Sequence, residues 1–185
     1  MDTMKDKALG FLDQKIINPN MKKHSLAVGA IMVGLAKHFG ENEEEWEVAG
    51  ILHDIDYEET NKELDKHTII GSKFVEDNGF SKEIAHAILV HNAMHNIPPE
   101  TRFDKALFCA DPMSGLVTAT ALVLPSKKLA DVKAESVVNR FYEKNFAKGA
   151  NRECIKVCEQ IGLPLEKFSI IALVAMQSIS DQLGL

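Results

Sequence analysis

Val48-Ala49-Gly50-Ile51-Leu52-His53-Asp54 is the stretch that decides the fold: five apolar or small residues run directly into an imidazole and a carboxylate. Glu41, Glu43, Glu44 and Glu45 precede it, and negative charge suits a first helical turn because the helix dipole leaves partial positive charge there. The pattern predicts a helix over 41–52, acidic at its start, apolar at its end, with His53 and Asp54 at its C-terminus. A buried helix that ends this way brings two good ligands for a divalent cation into a partly dry site. Such a dipeptide also arises by chance, so its surroundings must decide.

Outward from this point, helical periodicity continues in both directions. Residues 5–17 are amphipathic and stop at Asn18-Pro19-Asn20, a break followed by a cap. Residues 21–39 carry Leu26, Ile31, Val33, Leu35 and Phe39 among small residues such as Ala27, Gly29 and Gly34, a surface that admits close helix packing. Gly40 supplies the stop. Residues 53–65 are polar and irregular and read as a loop. A helix over 66–77 closes at Asn78-Gly79, and Ser81 is the N-cap of another that runs to about His95 before Ile97-Pro98-Pro99. Residues 101–124 form a long apolar helix interrupted by Asp111-Pro112, and further helices are expected at 132–145, 151–161 and 165–183. No strand-like alternation is sustained. The expectation is one all-α domain over 1–185, with a core of about 21–124 completed by helices in 125–185.

Bulk properties agree. The 185 residues are 45% hydrophobic and 26% charged with mean hydropathy −0.10, which excludes disordered and fibrous classes. Net charge is −6, with 21 Lys and Arg against 27 Asp and Glu, so no global excess supports a nucleic-acid-binding surface, and no duplex partner is expected. Cys109, Cys154 and Cys158 match neither a disulfide framework nor a zinc-finger spacing, and are expected reduced and mostly buried. The N-terminus lacks a signal-peptide apolar stretch and no run could span a membrane, so a soluble cytoplasmic protein of open oligomeric state is expected.

The chemistry gathers around the histidines. His24 lies early in the small-residue helix, and Asp111 interrupts Ala106-Leu107-Phe108-Cys109-Ala110. A carboxylate in such a stripe is expensive to bury unless paired, hydrogen-bonded or bound to metal. His38, near a helix C-terminus, and His86 read as structural or exposed.

The order His24, His53-Asp54, Asp111 resembles the HD-domain superfamily of metal-dependent phosphohydrolases. That resemblance implies an HD-type helical bundle in which these four residues bind a divalent metal. His67, opening HTIIGSKFVE, and His91, ending AILVHN, are similar to the family segments that supply further histidines in two-metal members. Carried over, they hold a second metal with Asp54 bridging. His95 is then either a ligand or a substrate-facing group. The segments HDIDYE (53–58), HNAMHNIP (91–98), DKALFCAD (104–111), PSKKLADV (125–132) and FAKGANRE (146–153) extend the likeness to a small group of prokaryotic HD hydrolases over nearly the whole chain.

There are departures as well. The common HD-Ile-Gly-Lys form reads His53-Asp54-Ile55-Asp56-Tyr57, the tandem histidine pair of cyclic-dinucleotide phosphodiesterases reads His91-Asn92, and their Gly-Tyr-Pro signature is absent, which argues against cyclic-di-GMP hydrolysis. The Glu-Asp pair of ppGpp hydrolases is echoed only by Glu58.

The resemblance implies one or two divalent transition-metal ions, Mn, Fe, Co, Ni or Zn, and a metal-activated water that cleaves a phosphate ester of a nucleotide or similar small metabolite. Asp54 would orient that water, with Glu58 or His95 moving protons. Asn92, Lys127, Lys128, Lys148 and Arg152 are the candidate substrate contacts, the basic ones as a phosphate clamp or else as a solvated surface. Two rival readings remain: an HD-fold di-iron oxygenase, which uses the same ligand order, and a non-catalytic metal-binding sensor.

Overall fold

Most of the longer helices begin where a side chain satisfies free amides. Thr3 opens α1 (Met4–Lys15) with a capping box shared with Asp6. Asn18 caps α2 (Pro19–Phe39), whose first position is proline, where a missing N–H costs nothing, and Gly40 ends it at φ 72°. Asn42 caps α3 (Glu43–Leu52). After α4 (Ile69–Asp77), Ser81 caps α5 (Lys82–His91), and Thr101 opens α6 (Arg102–Leu122) with a second capping box through Asp104. The chain continues through α7 (Ala134–Tyr142), α8 (Arg152–Lys156), α9 (Leu165–Gln177) and α10 (Ser180–Leu183). The computed structural model describes residues 3–60 and 63–185, and no strand occurs among the described residues, as the periodicity predicts.

The bundle is organised on α2. A Cβ built on Gly50 of α3 would stand 2.6 Å from Gly29 Cα, so these two helices cross backbone on backbone. Farther along α2, a Cβ on Gly34 would meet Ile171 of α9 at 2.9 Å. Buried side chains from α1 (Leu12) through α2 (Ile31, Met32, Leu35), α6 (Leu107, Met113) and α9 (Phe168) join in one continuous core. No helix among the described residues is long and apolar enough to cross a membrane. Cys109 and Cys158 are buried and Cys154 is half-buried, all three free.

Several of the expected helices break where the sequence pattern does not. The expected helix over 66–77 starts only at Ile69, because the buried Asp56 carboxylate accepts from the Thr68 and Gly71 amides at 2.8 and 2.7 Å and replaces its first turn. Thr68 sits at φ 72°, unfavourable for a β-branched residue, and is held there by that bond and by its hydroxyl donating to Leu89 O at 3.0 Å. The helix expected to reach His95 ends at His91, followed by a single 3₁₀ turn over Ala93–His95. The last helix divides between α9 and α10.

Arg152 organises the C-terminal part of the chain. Its Nε donates to Phe141 O, one terminal nitrogen to Ala147 O and Ala150 O, and the other to Arg140 O and Phe146 O, at 2.6 to 3.1 Å. A guanidinium has five N–H donors, and here five backbone carbonyls take them. This corrects the expected phosphate-clamp role: Arg152 closes the 140–150 loop and has no donor left for a phosphate. Lys127, Lys128 and Lys148 are exposed.

Candidate metal centre

Six side chains meet where α2, α3, α5 and α6 converge with the turn that precedes α4. His24 comes from α2, His53 caps α3, Asp54 follows it, His67 sits before α4, His91 ends α5 and Asp111 lies on α6. His24 Nε2 lies 3.1 Å from His53 Nε2, 3.1 Å from Asp111 Oδ1 and 3.5 Å from Asp54 Oδ2. His53 Nε2 is 3.3 Å from that same Asp54 Oδ2. The other oxygen, Asp54 Oδ1, faces His67 Nε2 at 3.1 Å and His91 Nε2 at 3.4 Å. One carboxylate therefore stands between two pairs of imidazoles, one oxygen turned to each.

Every one of the four rings is fixed through its remote nitrogen. His53 Nδ1 and His91 Nδ1 donate to Gly50 O and Ile88 O at 2.8 and 2.7 Å. His67 Nδ1 donates to Asp56 Oδ1 at 2.7 Å. His24 Nδ1 donates to Ser114 Oγ at 3.1 Å, and that hydroxyl donates onward to Asp111 O at 2.8 Å. With the proton on Nδ1, each neutral ring would turn an Nε2 lone pair inward. Two imidazole lone pairs 3.1 Å apart repel unless a cation lies between them, and such N···N and N···O separations suit ligands gathered about one small ion. Within the cluster, His24, His53 and Asp111 form one group whose ligand atoms all lie within 4.8 Å of one another, and His53, Asp54 and His91 form another.

The electrostatics follow. Burial opposes charge on His24, but hydrogen bonds with Asp111 and Asp54 outweigh it and push the imidazole up to about 10. His67 is pushed up to about 9 against its own burial by Asp54 and Asp56. Burial also works against the Asp54 carboxylate, yet the adjacent His53 and the hydrogen bonds from His24, His53 and His67 hold it well below the usual carboxylate range. Asp111 is lowered against burial chiefly by His24. The cluster strongly attracts positive charge, and a proton or a metal ion can meet that demand.

Residues 21–121, which include all six of these side chains, match the family model described as HD domain. The chain belongs to the HD-domain family. HD domains bind divalent metals, and membership places the chain in a superfamily of metal-dependent phosphohydrolases. The chain is similar to Ribonuclease Y of Oleidesulfovibrio alaskensis, 31% identical over 110 residues that cover 59% of this chain and 21% of that protein. It is similar also to Ribonuclease Y of Desulfotalea psychrophila, 31% identical over 139 residues covering 72% and 26%. The chain thus spans about a fifth to a quarter of the length of these relatives. No solved structure matches it significantly.

Several of the residues singled out around the HD core make scaffold contacts. Glu58 Oε1 accepts from the amides of Ile17 and Asn18 at 2.9 and 2.6 Å, securing the α1–α2 turn. The proton-transfer role expected of Glu58 would have to fall to its other carboxylate oxygen, Oε2. His95 does not continue the face of α5, because that helix has ended, and its Nε2 donates to His67 O at 2.7 Å. Asn92, expected to touch substrate, donates to Leu64 O and His67 O and accepts from Met94 N, latching the segment that carries His67. Lys127, Lys128 and Lys148 do not line the cavity beside His24. His38 is exposed, and His86 bonds the buried Asp104 at 3.1 Å, in keeping with structural readings.

Asp56 and Ser114 were missed. The signal for Asp56 was present: a carboxylate where the HD-Ile-Gly-Lys form has glycine, paired with Gly71, whose Cβ would stand only 3.1 Å from the Asp56 carboxyl carbon. Ser114 carries no local signal beyond lying one turn after Asp111.

Proposed function

We propose that the protein is a metal-dependent phosphohydrolase with two cation positions bridged by Asp54. His24, His53 and Asp111 would hold one ion with Asp54 Oδ2, and His67 and His91 the other with Asp54 Oδ1. The observation that carries this reading is the division of Asp54 between the two imidazole pairs. Mixed imidazole and carboxylate ligands favour Mn, Fe, Co, Ni or Zn over Mg. When bound, such ions lower the pKa of a coordinated water from 15.7 to about 7 and neutralise charge on a phosphoryl group. Asp54 would orient the water, Asp56 and Ser114 would keep His67 and His24 in the ligating tautomer, and residues 125–185 would complete the same domain.

The substrate class is a phosphate ester of a small, nucleotide-like metabolite. The similarity to Ribonuclease Y adds a second class, a short RNA phosphodiester. Elemental analysis of protein purified without added metal, followed by phosphate release from mononucleotides, sugar phosphates and short oligoribonucleotides with the metal found, tests the reading. Release with Mn, Co, Ni or Zn is expected. Two irons per chain with oxygen-dependent turnover and no phosphate release would transfer the same cluster to oxygenase chemistry.

Asp56→Asn isolates the support of His67. The amide NH₂ opposes the His67 Nδ1–H, so affinity at the second cation position should fall about 10- to 100-fold while the first is retained. Two-site metal titration by calorimetry measures this. Loss confined to the first position would contradict the arrangement.

A further inference from the structure

A cavity of about 420 Å³ opens beside His24. One wall is a single face of α2, with Asn20, Lys23, His24 and Ala27 at helical spacing. The opposite wall is a face of α6, with Gly115, Thr118 and Leu122, and it continues back to Asp111 one turn before Gly115. His24 and Asp111 approach to 3.1 Å, so two helical stripes that each contribute one member of the metal cluster run on to line the same cavity. Leu183 and Leu185 close its far side.

The lining has a definite character. Ala27, Leu122 and Leu183 give an apolar side, and Asn20, Lys23 and Thr118 a polar edge. No acidic side chain lines it, and among the described residues Lys23 forms no ion pair, whereas its neighbour Lys22 is bound to Asp13. The Lys23 ammonium lies 3.0 Å from where a Cβ on Gly184 would stand, so it reaches across from α2 to the C-terminal turn. The volume falls near the low end of small-molecule sites.

Gly115 is informative. Glycine is among the least favourable residues inside a helix, and Gly115 sits well inside the 21-residue α6. Neither of the usual reasons for glycine holds here. Its φ is not positive, and an added Cβ meets nothing within 4 Å. What glycine preserves at this position is open space beside the cluster.

We propose that this cavity receives the non-reacting part of the substrate, an uncharged or anionic organic group of about nucleoside size with one apolar face, and that the bare backbone at Gly115 sets how large that group can be. This rests on the phosphohydrolase reading above. Lys23 favours a phosphate ester whose organic part is not cationic, and Thr118 and Asn20 offer hydrogen bonds along the polar edge.

The test uses the metal-loaded full chain, with inorganic phosphate, phosphocholine and the hydrolysis-resistant adenosine 5′-phosphorothioate as calorimetric probes. The wild-type protein should bind the adenosine compound at least about tenfold more tightly than phosphate, and phosphocholine no more tightly than phosphate. Gly115→Leu keeps the helix and should retain full metal content. It should weaken the adenosine compound by about tenfold or more while phosphate shifts less than about twofold, with Gly115→Ala between. If Gly115→Leu binds the adenosine compound like the wild type, or loses it and phosphate in equal proportion, the cavity has no such role and the phosphohydrolase reading stands. If the wild-type protein carries its metals and binds neither phosphate nor the adenosine compound, that reading fails and the assignment of the cavity fails with it.

Discussion

Asp54→Asn should remove both metal ions from the chain and lower phosphate release by on the order of 10³-fold. Asparagine keeps the shape of the side chain but loses its charge and one of its two acceptor oxygens. In the present geometry one oxygen faces His24 and His53 and the other faces His67 and His91, so a single substitution strikes both positions. His91→Ala removes a group that approaches Asp54 Oδ1 alone, and is expected to cost one ion. Metal stoichiometry by elemental analysis separates the variants. An Asp54→Asn protein that still carries one ion at full occupancy would show that the aspartate serves one position and does not bridge.

Stripping the metal should make stability depend on pH in a direction that loading reverses. In the metal-free protein the folded His24 titrates at about 10 and His67 at about 9, both above the 6.5 of a free imidazole. The folded chain then holds protons that the unfolded chain releases. Their stabilising contribution is fully present below about pH 6.5 and is lost as pH rises through 9 to 10. Asp54 acts with the opposite sign: its depressed value contributes above the ordinary carboxylate range and is lost as pH falls through it. The metal-free melting temperature should therefore decline from pH 6.5 to 9.5. Metal must displace those same protons, so its affinity should rise over that interval and the gap in melting temperature between loaded and stripped protein should widen. Scanning calorimetry at pH 6.5, 8 and 9.5 measures both; a stripped protein with a flat profile would mean that the imidazoles do not carry those protons.

The helical class and the cluster were legible for different reasons. His53-Asp54 stood out because an apolar run ended on two polar groups, and Asp111 because it interrupts an apolar stripe. The outer groups were hidden because their partners are distant in sequence. Periodicity carries α5 past Asn92 toward His95, but the Asn92 amide bonds carbonyls 25 and 28 residues earlier. Arg152 and the lysines of 127–148 all read as basic residues. Only the folded loop reveals that five carbonyls close on the arginine. Glu58 had the right neighbours for proton transfer, and its carboxylate meets amides 40 and 41 residues away.

The crossing of α2 and α3 has a consequence for how such a protein can diversify. At Gly29 and Gly50 the two backbones touch, so the interval between His24 and His53 is a mechanical stop that drift on the outer faces of either helix has no leverage to change. Gly115 of α6 is under no such constraint, because the space before it is empty. A lineage built on this frame can change what it accepts by altering one wall, while the spacing of its reactive centre stays inherited.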